Sequence, residues 1–172
     1  RDHCVTGVQT CALPISTDSV APAAPHVDAS NGSVIAGTGE IGATIILLDG
    51  NGNPIGQTTV DANGHWSFSP QTPLANGTLV NAIARDAAGN SSLAGTVTVD
   101  TIAPPPPIVA PSNGLVLTGT AEAGATVRIL DAGGNLIGQT SADGSGNWSF
   151  TPPTQIPNGS VLSVVAVDPS GN

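Results

Sequence analysis

Gly37–Asn53 reads GTGEIGATIILLDGNGN, and Gly119–Asn135 reads GTAEAGATVRILDAGGN, 82 residues further on. Each stretch begins with glycine and small polar residues, passes through a β-branched and aliphatic run, and ends in Asp, Gly and Asn. That is a strand held between two turns. Ile46 in the first stretch is Arg128 in the second, so this position faces solvent. With a side-chain period of two, Ile45 and Leu47 then face inward.

The same register extends without a gap from Asp18–Asn90 onto Asp100–Asn172, with about half of the positions identical. Trp66 and Phe68 fall on Trp148 and Phe150, the only Trp or Phe residues in a chain without Tyr. Of the eleven acids after Asp2, ten superpose as Asp18/Asp100, Glu40/Glu122, Asp49/Asp131, Asp61/Asp143 and Asp86/Asp168, and only Asp28 lacks a counterpart, which is Ala110. A fixed long period marks an array of similar domains. Whatever one domain does is done again by the next, which argues against a single catalytic centre.

Each repeat predicts seven short strands separated by turn signals every eight to twelve residues, the pattern of an all-β sandwich. In the first repeat they are expected near His26–Ala29, Val34–Thr38, Thr44–Asp49, Ile55–Val60, His65–Ser69, Thr78–Asp86 and Gly95–Asp100. Turns tolerant of positive φ lie between them, among them Asn31-Gly32, Asn63-Gly64, Asn76-Gly77 and Gly89-Asn90. No segment has helical periodicity. Trp66 and Phe68 are two apart and share one face, which predicts core packing; a carbohydrate-stacking platform is the alternative. The second copy reaches Asn172, the equivalent of Asn90, and is expected to be incomplete, stopping before its last strand.

Residues 1–15 (RDHCVTGVQTCALPI) stand outside the repeat. Val5–Ile15 resembles the conceptual translation of a short-read sequencing adapter, so the segment is expected to be an artefact, disordered and irrelevant to the fold; a natural leader is the alternative. It holds both cysteines, Cys4 and Cys11, so no disulfide or metal site is built on them. The expected domains are therefore 16–100 and 101–172, joined at Asp100-Thr101-Ile102-Ala103 and the stiff, extended run Pro104–Pro107.

The net charge is −9, and beyond the first fifteen residues the only Lys or Arg residues are Arg85 and Arg128. No basic patch exists to neutralise phosphates, which argues against nucleic-acid binding. The longest apolar run, Ile45–Leu48, is far too short to span a bilayer. An acidic repeat unit free of cysteine and rich in Gly, Pro, Asn, Thr and Ser suits an extracellular bacterial protein. A unit of this size buries only about 60–65% of its unfolded surface, which predicts a modest stability on the order of 5 kcal/mol.

Val99–Pro107 (VDTIAPPPP), Gly119–Thr126, Gly146–Phe150 (GNWSF) and Asp168–Asn172 (DPSGN) form an ordered set, largely matched at Gly37–Thr44, Gly64–Phe68 and Asp86–Asn90. The set resembles the bacterial immunoglobulin-like repeats of large secreted surface and biofilm adhesins. The resemblance covers everything after about Ser16. It implies tandem seven-stranded immunoglobulin-like β-sandwiches, placed at the cell surface after type I secretion. They would serve as non-catalytic stalk repeats that project an adhesive region, with neighbouring repeats of the same chain as their partners. It also implies calcium between domains.

Strand parity agrees with a metal at the junctions. If successive strands run antiparallel, the turns bearing Glu40, Asp61 and Asp86 return to the pole where Asp18 enters, and the next repeat does the same with Asp100, Glu122, Asp143 and Asp168. Calcium takes six to eight oxygens and neutralises charge that no base here can. The candidate ligands are Asp18, Glu40, Asp86, Asp100, Glu122 and Asp168; the other reading makes Asp86 and Asp168 turn-formers bonding their own backbone in D-x-x-G-N. Asp49 and Asp61 are read as turn residues. His26 and His65 become Ile108 and Asn147, and no nucleophile–base pattern, phosphate loop or His cluster is present, so no enzyme is expected. The alternative function is accessory immunoglobulin-like or carbohydrate-binding modules of a secreted hydrolase.

Overall fold

The computed structural model describes residues 17–172; the adapter-like segment and both cysteines lie outside the described residues. The first repeat folds as seven strands: β1 (His26–Val27), β2 (Ile35–Thr38), β3 (Thr44–Asp49), β4 (Pro54–Thr59), β5 (His65–Phe68), β6 (Leu79–Arg85) and β7 (Ser91–Thr98). They form two antiparallel sheets, ordered β1-β2-β5 and β4-β3-β6-β7. The second repeat supplies β8 (Ile108–Val109), β9 (Leu117–Thr120), β10 (Thr126–Leu130), β11 (Leu136–Ser141), β12 (Asn147–Phe150) and β13 (Ser163–Val167). Its sheets, β8-β9-β12 and β11-β10-β13, repeat the first pair, with no counterpart of β7 among the described residues.

Alternation along β3 sets the core. Ile45 and Leu47 are fully buried and pair with Ala84 and Ala82 of β6, while Ile46 and Leu48 are half-buried. The facing sheet contributes Val27, Ile35 and Trp66, with Phe68 packed against the same cluster. Each fully buried aliphatic side chain stabilises by about 1.5–3 kcal/mol. Gly37, opposite Trp66 on β2, leaves room for the indole, since a Cβ there would come within 2.9 Å of the ring. Trp66 is 4% exposed and Trp148 3%, so neither ring is presented as a stacking platform. Both indole N–H groups are buried without a hydrogen-bond partner; the area that the rings bury outweighs a cost of about 1–3 kcal/mol each.

Phe68 crosses to the other sheet and lies on the backbone of Gly56, where a Cβ would collide with the ring; Phe150 repeats this on Gly138. A glycine is required there for close approach, not for its dihedral freedom.

The predicted strands hold, with shifted ends. β3 coincides with the expected Thr44–Asp49, whereas β7 runs over Ser91–Thr98 instead of Gly95–Asp100. Its first residues carry no inward alternation to read: Leu93 is 84% exposed, and the Ser92 hydroxyl accepts the Ala84 N–H where the β6–β7 register shifts. The expected Thr78–Asp86 contracts to Leu79–Arg85, because the Asp86 N–H pairs with Asn90 O inside the loop.

The second domain is looser where β7 has no counterpart. Val27 is 8% exposed but its equivalent Val109 is 42% exposed. Val80 and Ala82 are fully buried, whereas their equivalents Leu162 and Val164 are only partly so.

Two outcomes follow. Gly56→Ala should destabilise the first domain by about 1–3 kcal/mol through overpacking. Gly144→Ala, at a site with no neighbour within 4 Å, should leave the melting curve unchanged. In hydrogen exchange, Ser163–Val167 should exchange faster than Leu79–Arg85, because among the described residues the outer edge of β13 has none of the cover that β7 gives β6.

Candidate functional site

One loop recurs six times, and it decides what most of the acids do. Asp49–Asn53, Asp61–His65, Asp86–Asn90, Asp131–Asn135, Asp143–Asn147 and Asp168–Asn172 all read D-x-x-G-N, with His in place of Asn at His65. In every copy the Asp N–H donates to the carbonyl four residues on, and the Gly N–H donates to the Asp carbonyl. In every copy the fifth residue's N–H also donates to Asp Oδ1, at 2.8–2.9 Å. The Gly sits at φ of 81–95°, the left-handed position that closes a short hairpin loop.

These bonds hold the six carboxylates below the usual aspartate range. At Asp49, Asp86 and Asp131 the leading cause is the side-chain amide of the loop Asn. At Asp61 and Asp143 it is the backbone N–H of His65 and Asn147. Asp168 is the most enclosed; desolvation pushes its carboxyl up, but the bonds from Asn172 and the loop N–H groups bring it down.

The candidate ligands divide unevenly. At the first pole Asp18, Glu40 and Asp86 line one groove of about 560 Å3, as parity predicts. Asp61 belongs to another groove, with Asp28 and His65. At the second pole Glu122 lines a groove with Pro105 and Pro106 that includes neither Asp100 nor Asp168. As the side chains stand, no three carboxylates or histidines among the described residues are placed to hold a metal ion. Asp86 spends Oδ1 on the Asn90 N–H and Oδ2 on its amide, and Asp168 does the same with Asn172. Asp18 and Asp100 each cap their own linker turn, accepting the N–H of Val20 and of Ile102.

Sequence reasoning missed the asparagines. Asn90 Nδ2 also donates to the carbonyls of Asp18 (3.2 Å) and Val20 (3.3 Å), and Asn172 Nδ2 donates to the carbonyl of Asp100 (2.7 Å). The five loop residues carry no signal for this, since Asn also ends the loops at Asn53, Asn135 and Asn147; the position of the loop beside the incoming chain decides it. From the other side, the Asp100 N–H donates to Ser30 O, and the Thr101 N–H donates to Asn76 Oδ1. The peptide units flanking Asp100 are thus fastened to both domains. The only contact between a basic side chain and a carboxylate among the described residues is exposed, His26 Nε2 to Asp28 Oδ1 at 3.4 Å.

The family model described as Bacterial Ig domain matches residues 21–101 and again 103–172. The chain belongs to the bacterial Ig domain family. A segment of chicken CNTN1 covering its FN1–FN3 domains is similar in structure, at 12% identity and a TM-score of 0.53, over 88% of this chain and 60% of that one. A biofilm associated protein BSP domain aligns at 20% identity over 87% of this chain and 27% of its own, with a TM-score of 0.41. A two-domain fibronectin type III segment of chicken tenascin aligns at 11% identity over 86% and 91%, with a TM-score of 0.32. This bacterial Ig chain spans less than two thirds of the first two structures. No curated protein sequence matches it. The CNTN1 likeness agrees with the observed three- and four-stranded sandwich.

The carboxylate shifts give a pH dependence with a definite sign. Each loop Asp is lower in the folded than in the unfolded state, so its contribution is present above the unfolded value, near 3.8, and is lost as pH falls through the still lower folded value. The melting temperature should therefore stay level through neutral and mildly acidic pH and fall only below about pH 4. Replacing Asp86 and Asp168 together by Asn should shallow that acid limb.

Proposed function

We propose that these bacterial Ig domains are non-catalytic spacer repeats of a secreted bacterial surface adhesin, stalk units that hold an adhesive region away from the cell. The observation that carries this reading is the doubly fastened junction. The peptide N–H of Asp100 is bonded to the first domain at Ser30, and its carbonyl is bonded to the second at Asn172. Pro104–Pro107 follow after Thr101, Ile102 and Ala103. A rod built of repeats needs joints that resist bending, and a joint bonded on both sides of one residue, next to four prolines, supplies that. The buried tryptophans weigh against the carbohydrate-binding alternative, which needs an exposed ring.

Calcium at the junctions belongs to the same proposal. Asp18, Glu40 and Asp86 share a groove at the first pole, and among the described residues neither Arg85 nor Arg128 makes an ion pair. An all-oxygen donor set is the chemistry calcium takes, and Glu40, exposed and with a carboxylate that makes no hydrogen bond among the described residues, is the ligand free to turn within the groove. Asp100, Glu122 and Asp168 would serve in the next repeat, with Asp168 contributing only if its bonds to Asn172 are shared. An ion there would neutralise mutually repelling carboxylates.

Small-angle scattering in calcium and then in chelator tests both parts. A stiff pair of domains in both conditions supports the hydrogen-bonded joint without calcium. Stiffening only in calcium, lost in Asp100→Ala and kept in Asp131→Ala, supports the metal. A flexible pair in both conditions sinks the spacer reading. The expected calcium affinity is modest, about 0.1–1 mM, as for extracellular modules.

A further inference from the structure

Asn stands before Gly at six positions: Asn31, Asn51, Asn63, Asn76, Asn113 and Asn158. That pair carries chemistry of its own. Once the Gly nitrogen has lost its proton it can attack the Asn side-chain carbonyl carbon, since Gly has no side chain to block the approach. The new C–N bond closes a cyclic imide, and the side-chain nitrogen leaves with a proton as ammonia. Water then opens the ring at either carbonyl, giving aspartate or, with one more carbon in the main chain, isoaspartate. The reaction needs a Gly N–H free to lose its proton and a peptide plane free to turn toward the side chain.

At Asn76-Gly77 both reacting groups are held by the residues that leave the first domain. The Thr78 N–H closes a turn on Ala75 O (3.1 Å), with Gly77 at φ 78° in its third position. The Gly77 N–H donates to Val99 O (2.8 Å), and the Val99 N–H returns to Thr78 O (2.9 Å). Asn76 Oδ1 accepts the Thr101 N–H (3.0 Å). The attacking nitrogen is thus tied to Val99, and the side chain it would attack is tied to Thr101. Between them, the Asp100 N–H is fastened to Ser30 O (3.0 Å), and Val99 is buried. Asn76 and Gly77 are exposed, so water reaches them. Other pairs are held differently. Gly52 and Gly64 donate inside their own loops, to Asp49 O and Asp61 O, and Gly32 and Gly114 donate to the hydroxyls of Ser30 and Ser112. None of those four bonds involves Val99–Thr101.

We propose that Asn76-Gly77 is a modification site gated by the joint. It stays intact while Val99–Thr101 is docked and converts to aspartate or isoaspartate when that segment lifts away. One movement releases both groups, because a single stretch of three residues holds the nitrogen at one end and the side chain at the other. In the isoaspartate form the added main-chain carbon carries Gly77 out of register with Val99, so the joint cannot close as before. An opening of the joint is then recorded as a covalent change. The inference rests on the bonds around Asp100 and is independent of the role of the repeats.

The test follows each Asn-Gly pair by peptide mapping and mass spectrometry while the full chain is incubated in neutral buffer. Asn76 should convert at least about tenfold more slowly in the folded chain than in a peptide of residues 74–79, because the reaction waits for a local opening. Thr101→Pro removes the N–H that holds Asn76, and Val99→Ala loosens the segment that holds Gly77. Each should speed conversion at Asn76 by at least about threefold, with Asn51 and Asn63 unchanged. Hydrogen exchange at the Gly77 amide, followed in parallel, should quicken with it. Conversion in the folded chain as fast as in the peptide overturns the proposal. So does faster Gly77 exchange without faster conversion, no change in either variant, or an equal rise at Asn51 and Asn63, which marks general unfolding. In chain enriched in the isoaspartate form the Thr101 amide should stay unprotected; recovered protection overturns the permanence of the change.

Discussion

A strand carries its whole inward set to the wrong face if its register slips by one residue, and in these domains an aspartate side chain guards against the slip. Asp Oδ1 collects N–H groups from two and four residues ahead at Asp49, Asp61, Asp131 and Asp143, and from four ahead at Asp86 and Asp168. This fixes the length of the loop, and with it which residue of the next strand faces inward. Small cores make the constraint matter: one Trp, one Phe and a few aliphatic residues per repeat give little packing preference between registers. Where the loop links β3 to β4, both strands stay in one sheet; where it links β4 to β5, the chain changes sheets. The same bonding pattern serves both because it specifies the turn and not the path beyond it.

Packing then selects small residues where the sheets come closest. Phe68 on Gly56 and Phe150 on Gly138 bring aromatic rings onto bare backbone, and Gly37 and Gly119 make space for the indoles of Trp66 and Trp148. The charged residues stay out of this arrangement. Their work is at the loops, where a carboxylate bonded to backbone N–H groups needs no base as partner, which is how a chain of net charge −9 folds with so few cations.

Much of this was legible in the sequence. The Ile46-to-Arg128 exchange identified the outer face of β3, and the two-residue spacing of Trp66 and Phe68 identified a shared inner face. The start of β7 was not legible, because Ser91–Ala94 pairs through its backbone and a Ser92 hydroxyl while keeping Leu93 in solvent; propensity sees side chains and not ladders. At the poles, parity placed Asp18, Glu40 and Asp86 together, since it needs only the strand count. It could not show that Asp86 turns both oxygens toward Asn90, because that depends on the loop's internal bonds.

The division of labour within the loop explains how one motif makes both hairpins and joints. In the β3–β4 loop, the Asn53 amide donates only to Asp49, so the loop is closed on itself. In the loop after β6, the Asn90 amide bonds Asp86 and also reaches the carbonyls of the entering linker, and Asn172 does the same for Asp100. Nothing in the five residues differs enough to cause this. Position does: of the loops in a domain, this is the one beside the incoming chain, and an amide with two N–H donors can serve a carboxylate and a carbonyl together. A repeat that duplicates the loop therefore duplicates the joint, and each added domain brings the means of fastening its own entrance.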